Sequence, residues 1–218
     1  MYQLCPSILS ADFNRLGEQI KTLEKEGIEW LHIDVMDGDF CTEYFLFGMP
    51  VIKVYPKRNQ KFVFLMYISW LQSLRDISEI FVECGADSIT VHAEACEDLE
   101  RTIEQIREAG VKVGVSIKPA TPVNDISHML SDVDMVLIMT VQPGFGGQKY
   151  MEECTEKIRE VRELIEAENL DVDVQVDGGI NDETMETVLT AGANLLVAGS
   201  MFSKMIWQKC KTCQRTNG

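Results

Sequence analysis

The chain has 218 residues, of which 45% are hydrophobic and 25% are charged, and a formal net charge of −15 at pH 7. This length fits one globular domain, so residues 1–218 are treated as a single unit, and the negative charge argues against nucleic acids and anionic membranes as partners. No apolar run approaches the ~20 residues that span a bilayer, and the N-terminus lacks the pattern of a secretory signal. Because the seven cysteines are also scattered, we expect a cytoplasmic protein with reduced thiols.

Short apolar runs alternate with amphipathic stretches along the chain. A run over 4–9 predicts a first strand, and the helical spacing of Phe13, Leu16 and Ile20 predicts a helix over 12–26. The other predicted strands are 30–36, 61–66, 88–92, 111–117, 135–140, 172–176 and 195–198. The other predicted helices are 98–109, 124–130, 151–168 and 184–191.

The predicted strands are rich in Val and Ile without strict alternation, which is typical of parallel strands covered on both faces. Eight β/α units in one domain favour a closed (β/α)8 barrel, the TIM barrel, over an open doubly wound sheet. The region of the third strand and the end of the chain, 201–218, are irregular in this pattern. The residues that follow each strand are the candidates for function, because active sites of such barrels lie at the carboxyl ends of the strands.

Polar side chains end the second and seventh predicted strands. Strand alternation places His32, Asp34 and Met36 on one face, pointing into the barrel mouth. A His and a carboxylate two residues apart form half of a divalent-metal site, or a buried pair that supports the fold. Asp177, which precedes two glycines, either closes this site from the opposite side or serves as a helix N-cap or loop residue.

Glycine-rich turns follow the sixth and eighth predicted strands. Residues 143–148 read Pro-Gly-Phe-Gly-Gly-Gln, and residues 199–200 read Gly-Ser. Backbone N–H groups in such turns bind anions, and a paired phosphate site after the last strands is common in barrels of this kind. The two turns together therefore predict a phosphate site.

Methionines recur near strand ends, at Met36, Met66 and Met139. Filling of the core is the ordinary role of such side chains. The alternative is a ring of thioethers around a carbanion, since the thioether is apolar and polarizable.

These residues lie in phrases that resemble the ribulose-phosphate 3-epimerase family. The phrases cover residues 4–38 and about 80–200, at 6–12, 32–38, 90–94, 143–149, 176–179 and 197–200. The resemblance implies a barrel enzyme of the pentose phosphate pathway, an isomerase that converts D-ribulose 5-phosphate to D-xylulose 5-phosphate at C3. It also implies a homo-oligomer and a sugar phosphate as the small-molecule partner.

The resemblance also implies roles for the site residues. Asp34 and Asp177 would be the acid/base pair on opposite faces of the sugar, acting through a 2,3-enediolate. Together with His32 they would bind one divalent metal ion per subunit, and this donor set accepts Zn, Fe, Mn or Co. Ser7 would contact the substrate, and Met36 and Met139 would support the site. The phosphate would be held by Gly144, Phe145, Gly146, Gly147, Gly178, Gly179, Gly199 and Ser200.

Three stretches depart from the family pattern. The stretch after Gly38 is one residue longer, and residues 201–218 lack the family's final helix. The third strand should carry Asp-Val-His-Leu-Met, whose His is the fourth metal ligand, but 62–66 reads Phe-Val-Phe-Leu-Met. As written, the chain would offer three ligands and lack a covering helix, and we expect it to be unstable and weakly active or inactive.

The genetic code offers an explanation for these departures. Residues 66–78, back-translated with suitable synonymous codons and read out of frame, spell Asp-Val-His-Leu-Met-Val-Ala-Lys-Pro-Glu-Arg-Tyr-Ile. We hypothesise frame errors over about 39–78 and after Ser200. These errors come either from the sequence read or from a decayed gene, and resequencing the source DNA distinguishes the two. Restored frames would encode the missing His and the final helix, whereas unchanged frames would leave an incomplete site in a relic.

Other functions stay open at this point. A related epimerase acting on a ketohexose phosphate, allulose 6-phosphate, would use the same site with different loops. An inactive barrel from a frame-damaged gene belongs to another class. A decarboxylase or synthase barrel fits less well, because these need a lysine among the strand-end carboxylates and residues 32–37 contain none.

Overall fold

The computed structural model describes residues 2–35, 63–66, 81–144 and 146–199, with backbone alone for 63–66. These residues form one sheet of eight parallel strands, in the order β1-β8-β7-β6-β5-β4-β3-β2. The strands are β1 (Gln3–Cys5), β2 (His32–Val35), β3 (Val63–Met66), β4 (Ser88–His92), β5 (Lys112–Ile117), β6 (Met135–Met139), β7 (Asp173–Asp177) and β8 (Leu195–Val197). The α-helices with both ends among the described residues are α1 (Leu16–Lys25), α2 (Leu99–Glu108), α3 (Cys154–Ala167) and α4 (Met185–Thr190), and residues 81–84 are also helical.

The two ends of the strand order meet through the segment that follows β1. Ser7 forms a parallel bridge with His32, and the His32 N–H donates to the carbonyl of Pro6 at 3.0 Å. The sheet is therefore closed on itself. This confirms the predicted (β/α)8 barrel, including a strand near 61–66.

The strand alternation sorts side chains between the barrel interior and its outer surface. A small apolar cluster lies inside the barrel, made of Cys5, Trp30, Met135, Leu195 and Val197. The larger core lies between the strands and the helices, where outward-facing strand residues such as Val136 and Val174 pack with helix residues such as Ile158. Because His32, Asp34 and Asp177 share the alternation of the inner set, they belong to the inward face of the sheet.

Helix α2 shows how local sequence positions these layers. Asp98 caps it by accepting a hydrogen bond from the backbone N–H of Arg101, and the helix buries Thr102, Ile103 and Ile106. Gly110, with φ 80°, follows its last turn, a conformation in which glycine is strongly favoured. Cap, apolar face and terminating glycine thus agree with the predicted helix over 98–109.

Two predicted elements differ from the structure. The strand predicted over 4–9 ends at Cys5, because Pro6 cannot donate to the ladder and the Ser7 side chain caps a 3-10 turn at Ile8–Ser10. The helix predicted over 124–130 is two 3-10 segments, Val123–Asp125 and Ser127–Asp132. Runs of this kind are common in connecting segments.

The irregular stretches 39–78, apart from β3, and 201–218 lie outside the described residues. Within the part of the chain that is described, no helix is long and apolar enough to cross a membrane.

Candidate active site

Three strands bring the predicted polar residues to one end of the barrel. β2 supplies His32 and Asp34, which are 0% and 3% exposed. Asp177 is the last residue of β7, and its side chain is 21% exposed. Ser7, just beyond β1, is buried beside them. Ser7, Asp34 and Asp177 lie at or near the carboxyl ends of their strands, where barrel enzymes carry their chemistry. His32 begins β2 and shares the inward face of that strand with Asp34.

The side chains of these residues contact one another directly. The Nε2 of His32 lies 3.1 Å from Oδ1 of Asp34 and 3.7 Å from Oδ2 of Asp177. The hydroxyl of Ser7 donates to Oδ2 of Asp34 at 2.8 Å. Both oxygens of Asp34 are thus engaged, and its carboxylate has a fixed orientation.

The electrostatics of the cluster follow from two carboxylates sharing one imidazole. Burial raises the pKa of Asp177 to about 7; the nearby His32 opposes this change and Asp34 adds to it. Burial lowers the pKa of His32, but the two carboxylates outweigh burial, so this pKa is raised overall. With both carboxylates ionised the site has excess negative charge, which a cation would neutralise.

The donor atoms fit a divalent metal ion. One ligand atom each from His32, Asp34 and Asp177 lies within 4.8 Å of the others. An imidazole nitrogen with carboxylate oxygens suits Zn, Fe, Mn or Co. Nε2 is the nitrogen that faces the carboxylates, while the buried Nδ1 has no hydrogen-bond partner among the described residues.

The sequence provides no further histidine for this cluster. The chain has three histidines, and the two others lie elsewhere: His92 pairs with Glu94 at 3.0 Å, and His128 lies 3.8 Å from Glu100. The fourth ligand expected from the family pattern is therefore absent from the sequence as written.

The glycines predicted to hold phosphate fall into two groups. A Cβ on Gly144, Gly146 or Gly147 would meet no atom within 4 Å, so the backbone there is open to a ligand. A Cβ on the remaining glycines would overlap a neighbour: the Val141 side chain for Gly178, the Tyr150 backbone for Gly179 and the Ser10 hydroxyl for Gly199. The backbone clash excludes a side chain at Gly179, whereas the Ser10 hydroxyl at Gly199 could rotate away. Their role in binding phosphate stays a prediction.

The structure also locates Met139 beside the cluster. It is buried, and it pairs with Asp177 across β6 and β7. Met36, Phe145 and Ser200, which were predicted to line the site, lie outside the described residues, and so does the side chain of Met66.

A second network of polar side chains, which was not predicted from the sequence, lies at the barrel mouth. His92, the last residue of β4, contacts Oε2 of Glu94 through Nδ1 at 3.0 Å. Oε1 of Glu94 accepts from the backbone N–H of Lys118 at 2.7 Å and from the Thr121 hydroxyl. The signal for it was the spacing His-x-Glu, which repeats the His-x-Asp of β2.

Comparisons with known proteins identify the family of this chain. The model of the Ribulose-phosphate 3 epimerase family matches residues 3–203. The ribulose-phosphate 3-epimerase of Bacillus subtilis (strain 168) is 46% identical over 202 residues, which make up 92% of this chain and 91% of that protein. The chloroplastic ribulose-5-phosphate-3-epimerase of Arabidopsis thaliana is 41% identical over 198 residues, 89% of this chain and 69% of that protein.

Solved structures support the fold alone. The tryptophan synthase complex from Pyrococcus furiosus has a chain that aligns with a TM-score of 0.68 at 15% identity, covering 92% of this chain and 89% of that one. Fold, geometry and relatives together define a (β/α)8-barrel enzyme with a His–carboxylate cluster at one end of the barrel. The chain belongs to the ribulose-phosphate 3-epimerase family.

Proposed function

We propose that this chain epimerises C3 of a ketopentose phosphate, converting D-ribulose 5-phosphate to D-xylulose 5-phosphate by proton transfer between two carboxylates. The convergence of Asp34 and Asp177 on His32 carries this proposal. Inversion at one carbon requires removal of a proton from one face of the sugar and delivery to the other. Two carboxylates from separate strands are suited to that task.

The proposed reaction has two steps. One carboxylate takes the proton from C3, and the electron pair of the broken C–H bond forms the C2–C3 double bond of an enediolate. The other carboxyl group then donates its proton to the opposite face of C3, which restores the ketone at C2. Each carboxyl group ends in the protonation state that the other had at the start, and exchange with solvent resets the pair.

The residues of the cluster have separate parts in this proposal. Ser7 fixes Asp34 through its 2.8 Å hydrogen bond, while the partly exposed Asp177 lies toward the mouth of the barrel. A divalent ion held by His32, Asp34 and Asp177 would supply the positive charge that stabilises the enediolate oxygens. The open backbone at Gly144, Gly146 and Gly147 would hold the phosphate, together with 178–179 and 199–200.

A panel of sugar phosphates tests the proposal. The purified chain, incubated with Zn²⁺, Fe²⁺, Mn²⁺ or Co²⁺ in turn, is given D-ribulose 5-phosphate and D-allulose 6-phosphate, and the products are separated by chromatography. We expect xylulose 5-phosphate as the main product, formed slowly because the sequence as written lacks the fourth metal ligand, and one metal ion per chain. If only allulose 6-phosphate is converted, the proposed substrate is wrong and the chain is a ketohexose-phosphate epimerase. Absence of both turnover and bound metal would indicate an inactive barrel.

A further inference from the structure

We propose that Thr140 is a positioning residue for Asp177. Thr140 directly follows β6 and is 0% exposed. Its backbone N–H donates to the carbonyl of Asp177 at 2.8 Å, and its hydroxyl donates to the carbonyl of Gly178 at 2.6 Å. This inference rests on the proposed function, since it concerns the same carboxylate.

The two bonds hold two successive peptide groups. The Asp177 carbonyl belongs to the peptide that links Asp177 to Gly178, and the Gly178 carbonyl belongs to the next one. Gly178 has φ 121°, a conformation that glycine can adopt because it has no Cβ. For the same reason its backbone can change conformation unless its neighbours restrain it. The Thr140 hydroxyl restrains the far side of that glycine.

Packing restrains the same turn from both directions. Val141 lies so close to Gly178, and the Tyr150 backbone so close to Gly179, that neither glycine has room for a Cβ. The Thr140 carbonyl also accepts from the N–H of Met151 at 2.9 Å, which closes the loop after β6. Thr140 is therefore the junction between the glycine-rich loop after β6 and the turn after β7.

A consequence for the metal ligands follows. Asp177 Oδ2 lies 3.7 Å from His32 Nε2, and its direction depends on the backbone of the turn that begins at Asp177. Loss of the Thr140 hydroxyl would leave the Gly178 carbonyl unpaired and let this turn shift. Groups that orient metal ligands in this way typically change metal affinity or activity by about 10- to 100-fold when removed.

The test compares Thr140→Val, which keeps the shape and loses the hydroxyl, with Thr140→Ser, which keeps the hydroxyl. The matched control is Thr102→Val, because Thr102 is a buried threonine whose hydroxyl donates to a backbone carbonyl, that of Asp98, at 2.8 Å on α2. The dissociation constant for Co²⁺ is measured by competition with a chelator, and the melting temperature is measured without metal. Should the Val variant fail to fold, Thr140→Ala gives the same comparison.

We expect Thr140→Val to weaken Co²⁺ binding about 10-fold or more, with Thr140→Ser and Thr102→Val close to the parent chain. Equal Co²⁺ affinities in the two Val variants would reduce Thr140 to a structural role and overturn the inference, as would a parent chain that binds no Co²⁺. If the expected affinities are found in a chain that does not epimerise ribulose 5-phosphate, the positioning role stands and the proposed function fails.

Discussion

Two His-x-carboxylate pairs lie at the mouth of this barrel, and they differ in what surrounds the carboxylate. His32 and Asp34 lie on β2, whereas His92 is the last residue of β4 and Glu94 lies in the turn that follows it. Both histidines are buried, at 0% and 1% exposure. Glu94 receives hydrogen bonds from His92, the Lys118 N–H and the Thr121 hydroxyl.

The charges of the two sites differ accordingly. Burial alone would raise the pKa of Glu94, but the hydrogen bonds it accepts outweigh burial and lower this pKa to about 2. Burial lowers the pKa of His92, whereas the pKa of His32 is raised by two carboxylates. A carboxylate saturated by protein donors is typical of a structural anchor, and carboxylates that share too few donors are typical of a cation site.

Lys157 extends the anchor around Glu94. Its ammonium group, on α3, donates to the carbonyls of Lys118 at 2.8 Å, Pro119 at 2.7 Å and Thr121. Glu94 thus holds the loop after β5 by accepting hydrogen bonds from donors in that loop. Lys157 holds the same loop by donating to its carbonyl groups. The cluster around Glu94 fixes a loop, whereas the cluster around His32 leaves its charge available.

The largest expected effect separates the two carboxylates by activity. Asp177→Asn removes a proposed acid/base group, so kcat should fall about 10²- to 10⁴-fold, and bound metal should fall with it. Glu94→Gln, the matched amide substitution, should leave the metal content near that of the parent chain. Steady-state kinetics and elemental analysis of both variants measure this difference; similar losses of metal in the two would remove the distinction between the sites.

A smaller effect concerns the contribution of Glu94 to stability. Glu94→Gln should lower the free energy of unfolding by about 1–3 kcal/mol near neutral pH, because a partly exposed charge that accepts several hydrogen bonds is lost. Since the folded pKa of about 2 lies below the ordinary value of 4.5, the stability that this carboxylate contributes is complete above pH 4.5 and is lost as the pH falls toward 2.

Urea unfolding of the parent chain and of Glu94→Gln, measured from pH 7 down to the acid limit of folding, checks this sign. The gap between the two curves should narrow below pH 4.5. A gap that stays constant with pH would show that the loss comes from packing rather than from the charge.

The comparison also indicates what could be predicted from sequence. His32 and Asp34 lie on one strand, so alternation alone placed them on one face, and Asp177 followed from the rule that barrel strands end together. The hydrogen-bond network around Glu94 could not be found this way. Lys118 and Thr121 lie 24 and 27 residues from Glu94 in sequence, and the barrel topology alone brings them together.

The errors in the predicted elements have local causes. The first strand was extended beyond Pro6 because the apolar pattern continued, although proline ends the hydrogen-bonding ladder. Four points stay predictions: the metal, the roles of the glycines, the frame errors over about 39–78 and after Ser200, and the assembly state. The sequence alone could not fix them, because the metal and the glycine roles depend on ligands, the assembly state depends on a partner chain, and the frame errors depend on the DNA sequence.

The most direct test of the central claim is the source of the hydrogen at C3. D-ribulose 5-phosphate is incubated with the metal-loaded chain in ²H₂O, and the xylulose 5-phosphate formed is examined by NMR. Proton transfer between two carboxylates predicts a product that carries deuterium at C3. In Asp177→Asn, formation of this deuterated product should be lost. A product that keeps its original hydrogen at C3, or deuterium incorporation unchanged in that variant, would contradict a reaction carried out by Asp34 and Asp177.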